Sequence, residues 1–261
     1  NVGSVSTTQE YNAADNAIAL LAKELGKTAD YKRFSKRSLS YKKLFDKNFK
    51  LLRPKTKDGN WYEPFDPNAG ANFTENIGFI EGNAWQYSFM IPHDMGGLKK
   101  LMGGDRGFTD QLQKIFDTTQ FDMANEPDIA YPYLFNYVKG EEWRSQKLVE
   151  ELVRKQFKNT PARIPANDAT GTMSAWVVYS MMGFYPIAPG EPKYTITKPL
   201  FDKITIQLDS KYYKKTELVI EKVTNSNGKI KQIEVDGKKH KGYFIDHNDL
   251  VKAKTFKVIL K

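Results

Sequence analysis

Three short stretches of the sequence set carboxylates, amides and hydroxyls beside aromatic residues. The first is Phe79-Ile80-Glu81-Gly82-Asn83-Ala84-Trp85-Gln86-Tyr87. A carboxyl between Phe79 and Trp85 is expected to lose solvent. Desolvation raises a carboxyl pKa and suits the group to general-acid work. The competing role for Glu81 is a favourable charge at a helix N-terminus. The second stretch, Asn125-Glu126-Pro127-Asp128, gathers hard oxygen donors of the kind calcium takes, although the spacing is not that of an EF-hand loop. A plain helix start, with Asn125 as cap and Pro127 in the first turn, accounts for the same residues. The third runs from Ile164 to Trp176 and holds Asn167, Asp168, Thr172 and Ser174 at the mouth of an apolar run. Asp168 is suited to be a general base, a metal ligand or a cap.

The rest of the composition narrows the chemistry. The chain has 261 residues and no cysteine, so disulfides and thiolate metal sites are excluded. His93, beside Asp94, is a lone histidine of the kind more often satisfied in a loop than catalytic. With His240 and His247 it makes no zinc-type spacing. No nucleophile elbow, P-loop or dinucleotide fingerprint is present. A net charge of +9 raises nucleic acid as a partner. The basic residues, however, mostly alternate with apolar ones on solvated faces, which argues against it. No apolar run approaches the roughly 20 residues of a membrane span. Aromatic residues make up 13% of the chain, and Trp and Tyr are the side chains that stack on sugar rings. The three stretches are therefore expected to converge on one carboxylate-based sugar site.

Helical text must position them. Residues 7 to 26 read as an amphipathic helix, with Ala14, Ile18, Leu21 and Leu25 at helical spacing and Gly26 as the stop. A second helix is expected from about Asp30 to Phe45. Residues 46 to 80 are irregular, but Trp61, Tyr62, Phe65 and Phe73 argue against disorder. Further helices are expected from Glu81, Met95, Phe108 and Asn125, then from Glu141 to Phe157, where Trp143, Leu148, Leu152 and Val153 would face inward. The last runs from Met173 to Met182 and is ended by Gly183. After Pro186 the period becomes two: Ile204, Ile206 and Leu208, then Leu218 and Ile220, Ile233 and Val235, and Phe256, Val258 and Leu260 alternate with polar residues. Turns are expected at Asn225-Ser226-Asn227-Gly228 and Asp236-Gly237. The expected organisation is a helical domain over 1–189 and a small antiparallel β-sandwich-like domain over 190–261.

Taken in order, Glu81-Gly82-Asn83-Ala84-Trp85-Gln86-Tyr87, Pro92-His93-Asp94, Asn125-Glu126-Pro127-Asp128 with Tyr131-Pro132-Tyr133-Leu134-Phe135-Asn136-Tyr137, and Asn167-Asp168 with Met173-Ser174-Ala175-Trp176 and Gly183-Phe184-Tyr185-Pro186 resemble glycoside hydrolase family 92. That family comprises calcium-dependent exo-α-mannosidases. The resemblance implies a mainly α chain: part of an (α/α)6 barrel followed by the family's C-terminal β-domain. It implies an inverting hydrolase in which Glu81 is the acid and Asp168 the base. Substrate contacts would come from Trp61, Trp85, Gln86, His93 and Asp94, and calcium contacts from Asn125 and Glu126, which share between them the calcium and leaving-group roles. The implied partners are mannose-containing glycans and an N-terminal domain of the same protein. The implied location is secreted, periplasmic or cell-surface. One departure stands out. The family usually shows two consecutive acids where this chain has Asp168-Ala169. A non-catalytic glycan-binding protein derived from the same barrel is the alternative.

Overall fold

The computed structural model describes residues 3–70, 77–161, 164–224 and 228–261. Phe73 and Asn225-Ser226-Asn227 lie outside the described residues. The chain divides into two compact units. The first comprises residues 1–131 and 188–191, and the second comprises 132–187 and 192–261. The strands of 193–261 thus share a unit with the helices just before them, and the partition into domains 1–189 and 190–261 remains a proposal.

The first unit opens with α1 (Ser4–Glu24), ended at Gly26, whose φ of 68° suits a residue without a Cβ. The helix packs with its polar face inward. Ser6, Gln9, Asn12 and Asp15 are buried, while Ile18, Leu21 and Leu25 are exposed, Leu25 by 63%. Hydrogen bonds explain this orientation. Gln9 Nε2 donates to the carbonyls of Tyr87 (3.5 Å) and Met90 (3.1 Å). Ser6 Oγ accepts the Ile80 N–H at 2.9 Å. Asn12 joins Ser40 Oγ and the Tyr41 N–H, and Asp15 takes both ends of the Arg37 guanidinium at 2.9 Å. A buried polar group is tolerated when it is paired in this way.

The second predicted helix is shorter than expected. α2 spans Thr28–Arg37, and a 3-10 turn follows at Ser40–Lys43. Phe45 instead enters a two-residue antiparallel ladder, β1 (Phe45–Asp46) with β2 (Leu51–Leu52). Next to it Arg53 is buried, paired with Asp46 at 3.0 Å and with Glu63, and lies against the Phe65 ring at 4.9 Å. The short α3 (Ala84–Ser88), α4 (Met95–Leu101) and α5 (Gly104–Asp117) complete the unit's helices. From Asn125 the chain forms 3-10 turns, at Glu126–Asp128 and Tyr131–Tyr137, where an α-helix was expected. Pro127 and Pro132 remove the N–H groups that a longer helix would need.

The second unit carries α6 (Glu142–Gln156) and α7 (Thr172–Met182). α6 buries Ser145, Gln146, Val149 and Val153; Trp143, Leu148 and Leu152 are only half-buried, so the inward face is rotated from the expected one. Gln146 supplies the reason: its Oε1 accepts the Ile230 N–H at 2.9 Å. The β-region forms two sheets. One, of three strands, orders β3 (Phe184–Tyr185), β4 (Lys193–Ile196) and β9 (Phe244–Asp246). The other, of five, runs β5 (Lys203–Gln207), β6 (Glu217–Val223), β10 (Thr255–Leu260), β7 (Ile230–Val235) and β8 (Lys238–His240). The short α8 (His247–Lys252) leads into β10. The expected alternation holds: Leu218, Ile220, Ile233, Phe256, Val258 and Leu260 form the core. The sheet is not wholly antiparallel, because β10 pairs in parallel with β6. The Asp236-Gly237 turn joins β7 to β8, with positive φ at both residues.

Candidate active site

In the first unit two of the three stretches meet. Asn83 caps α3: its Oδ1 accepts the N–H groups of Trp85 (3.0 Å) and Gln86 (3.1 Å), and Gln86 Oε1 returns to the Asn83 N–H at 3.1 Å. This is a capping box. Glu81 therefore stands outside the helix and is not its cap. Its backbone is left-handed, with φ of 54°. Asn125 does not cap its own turn. Its Nδ2 donates instead to the Glu81 carbonyl at 2.7 Å, which ties the Asn125-Glu126 turn to Glu81. Tyr87 reports what surrounds the junction. Its hydroxyl donates to the Ile80 carbonyl at 2.7 Å. Burial raises its pKa, and the charges of Glu10, Glu81 and Glu126 add to the rise, against the Ser6 hydroxyl. Glu10, on α1, was not among the sequence candidates. Its own pKa is raised, first by burial and then by Glu126. Nothing in the spacing points from Glu10 to residues more than a hundred positions away. Glu10, next to Gln9, keeps an exposed surface, and the bonds of Ser6 and Gln9 to Ile80, Tyr87 and Met90 bring this part of α1 up to the junction.

Glu81 itself is exposed, as is Glu126. The expected desolvation of Glu81 against Phe79 and Trp85 is not found, because Trp85 turns into the interior. The Trp85 ring nitrogen donates to Asn68 Oδ1 at 3.0 Å, and Lys114 Nζ lies 4.7 Å from the ring centre. Gln86 is buried and spends its amide on the capping box and on Asp128. Trp61 is half-buried beneath Lys55 Nζ at 4.3 Å. Asp94 caps α4 through the Gly97 N–H at 2.9 Å, accepts the Tyr41 hydroxyl at 2.8 Å and pairs with Lys42 at 2.7 Å. His93 Nε2 bonds the Ser38 carbonyl at 2.8 Å, and burial lowers its pKa. These five side chains thus have scaffold partners of their own.

Asp168 belongs to the second unit. It too sits on left-handed backbone, with φ of 52°, between Ala166 and Thr170, which share that conformation. Its Oδ1 accepts the Ser174 N–H at 3.0 Å and its Oδ2 the Ser174 hydroxyl at 2.6 Å. These bonds hold its pKa below the ordinary carboxylate value, so it is ionised at neutral pH. It satisfies one N–H in the first turn of α7, whose N-cap is Gly171, and is at the same time a carboxylate in the form a general base requires.

Among the described residues no group of three or more His, Cys, Asp or Glu side chains could hold a metal. The Asn125 amide oxygen and the Glu126 carboxylate are nonetheless hard donors of the type calcium prefers, although two donors fall short of its usual six to eight or so. No described helix is long and apolar enough to cross a membrane.

Comparison with known proteins gives a consistent picture. The profile of the glycosyl hydrolase family 92 catalytic domain matches residues 1–261. A protein of Arthroderma benhamiae described as an uncharacterized secreted glycosidase is 29% identical over 224 residues, which are 78% of this chain and 28% of that protein. The α-mannosidase BT3965 of Bacteroides thetaiotaomicron, solved with mannoimidazole, is 30% identical with a TM-score of 0.92. The match covers all of this chain and 36% of that one. The inverting mannosidase BT2199 of the same organism shares the fold at 24% identity and a TM-score of 0.88, over 38% of its length. The chain therefore spans well under half the length of these relatives. The likeness bears out the expected fold class, part of an (α/α)6 barrel followed by a β-region.

Proposed function

Because the chain belongs to glycosyl hydrolase family 92, we propose that it carries part of the active site of an exo-acting α-mannosidase. The substrate is a terminal α-linked mannose on a glycan. The observation that carries this reading is the meeting of the Glu81 and Asn125-Glu126 turns, fixed by the 2.7 Å bond from Asn125 to the Glu81 carbonyl. In the proposed reaction Glu81, solvent-exposed and free of an ion-pair partner among the described residues, protonates the leaving oxygen. Asp168, ionised, takes a proton from the water that attacks the opposite face of the sugar. Inversion follows from a single displacement. Both carboxylates stand on left-handed backbone, a conformation costing on the order of 1 kcal/mol or more and concentrated at functional sites. Asn125 and Glu126 would hold calcium, which when bound supplies charge and orientation for the sugar hydroxyls.

The reading extends to the whole protein. The relatives are longer, and the exposed stripe Tyr11, Ile18, Leu21 and Leu25 on α1 is an apolar surface suited to a further helix. We infer that further chain of the same polypeptide covers it and completes the site, and that the protein works outside the cell or at its surface. A second reading, glycan binding without turnover, is favoured by one observation: Ala169 follows an Asp168 whose two oxygens are both held by Ser174. A crystal structure of the full-length gene product with calcium and mannoimidazole tests the catalytic pair. The Glu81 and Asp168 carboxyls are expected about 6.5–9.5 Å apart across the sugar. A separation beyond about 15 Å would sink both sugar readings, since no glycosidic bond could then be flanked.

A further inference from the structure

The turn that carries Asn125 and Glu126 hides a carboxyl to which the reaction above gives no role. Asp128 has no solvent exposure. Its Oδ2 accepts the Asp122 N–H at 2.8 Å and lies 3.5 Å from Gln86 Nε2, while its Oδ1 is buried without a partner among the described residues. One path leaves this carboxyl and another leaves the backbone N–H of the same residue, and the two arrive at the same place. Through Gln86, whose Oε1 accepts the Asn83 N–H at 3.1 Å, it reaches the cap of α3. Through its own N–H, which donates to the Asn125 carbonyl at 3.0 Å, it reaches the amide that holds the Glu81 carbonyl at 2.7 Å. Gly82 lies where the paths converge. A Cβ there would stand 3.0 Å from Gln86 Oε1 and 3.2 Å from Asn125 Nδ2, so the ring of bonds closes around a position where any side chain must push its members aside by a few tenths of an ångström. A buried polar ring of this kind is rigid only while each member is paired.

We propose that Asp128 is a positioning residue: through Gln86 and Asn125 it locks the Glu81 backbone against the Glu126 turn and so fixes how the two carboxylates stand to one another. In its consequence for turnover the proposal rests on the mannosidase reading; in its structural content it does not.

Hydrogen exchange on the whole chain tests it. Asp128→Leu, close in shape but without acceptors, is expected to speed exchange of the amides of residues 81–87 by about tenfold or more, with β10 amides unchanged. Asp128→Asn keeps an oxygen for the Asp122 N–H and is expected to stay within about twofold of wild type. Should Asp128→Leu fail to fold, Gln86→Glu decides: it keeps the oxygen that closes the capping box, sets a second carboxyl against Asp128, and is expected to speed the same amides. Unchanged exchange over 81–87 in the folded disrupting variants overturns the proposal, and so does equal acceleration in Asp128→Asn and Asp128→Leu. In the full-length gene product, Asp128→Leu is expected to lower kcat more than it raises KM. A rise in KM with kcat unchanged would contradict positioning of Glu81. If exchange responds as expected and the wild type releases no mannose, the mannosidase reading fails and the positioning role stands.

Discussion

In the first unit α1 turns Ser6, Gln9, Asn12 and Asp15 inward and leaves Leu21 and Leu25 in solvent; in the second, β10 turns Phe256, Val258 and Leu260 inward. The first arrangement is directional. Ser6 and Gln9 reach backbone groups of Ile80, Tyr87 and Met90, in the segment that carries Glu81, while Asn12 and Asp15 reach Ser40, Tyr41 and Arg37. The second is non-directional and scales with apolar area. The contrast teaches a division of labour. The sheet supplies free energy, at roughly 1.5–3 kcal/mol for each fully buried large apolar side chain. The polar helix supplies less free energy and sets geometry, since only hydrogen bonds specify where a loop must stand.

The contrast can be broken most forcefully from the sheet side. Phe256→Ala is expected to cost about 3–5 kcal/mol, read from denaturant unfolding followed by a probe in the second unit. A loss below about 1 kcal/mol would show that the sheet core is not what holds that unit. Gln9→Leu is expected to cost about 1–3 kcal/mol, because the Met90 carbonyl loses the Gln9 amide in a partly buried place, while the Tyr87 carbonyl keeps the Met90 N–H at 3.2 Å. The same variant should loosen residues 79–90 in hydrogen exchange, which Phe256→Ala should not do. Leu21→Ser sharpens the point, since it removes an apolar side chain from the exposed face of the same helix. In the chain alone it should change stability by no more than about 0.5 kcal/mol. In the full-length gene product, where further chain is proposed to cover the stripe, it should cost about 1–3 kcal/mol.

The smallest effect is a pH dependence. Burial lowers the folded pKa of His93, so the unfolded chain binds a proton first as pH falls. Stability is therefore full above the ordinary histidine pKa of about 6.5 and declines as pH drops from there toward the lower folded value. Asp94 opposes the shift and Lys42 reinforces it. His93→Gln should flatten that part of the stability–pH curve, as measured by denaturation at a series of pH values.

Much of this was legible in the residues. Period-two alternation found the strands from Ile204 onward, and Gly26 and Gly183 marked the ends of α1 and α7. The orientation of α1 was not legible. Periodicity shows that a stripe exists but not which side faces protein, and Gln9 and Asn12 are buried only because carbonyls and an amide some 25 to 80 residues away along the chain receive them. The site shows the same limit. Glu81, the Asn125-Glu126 turn and Asp168 could be picked out by type and company. Glu10 and the bonds from Trp85 to Asn68, from Gln86 to Asp128 and from Tyr41 to Asp94 depend on long-range contacts that no local spacing encodes, whereas the Asn83–Gln86 capping box and the Asp94 cap of α4 are local.

The central claim is that Glu81 and Asp168 act as an inverting pair supported by calcium. Its most direct test is anomer-resolved NMR of α-mannoside hydrolysis by the full-length gene product, with calcium and then with a chelator. The account predicts β-mannose as the first product, turnover lost on chelation, and turnover lost in Glu81→Gln. α-Mannose as the first product, or turnover that survives both the chelator and Glu81→Gln, would contradict it.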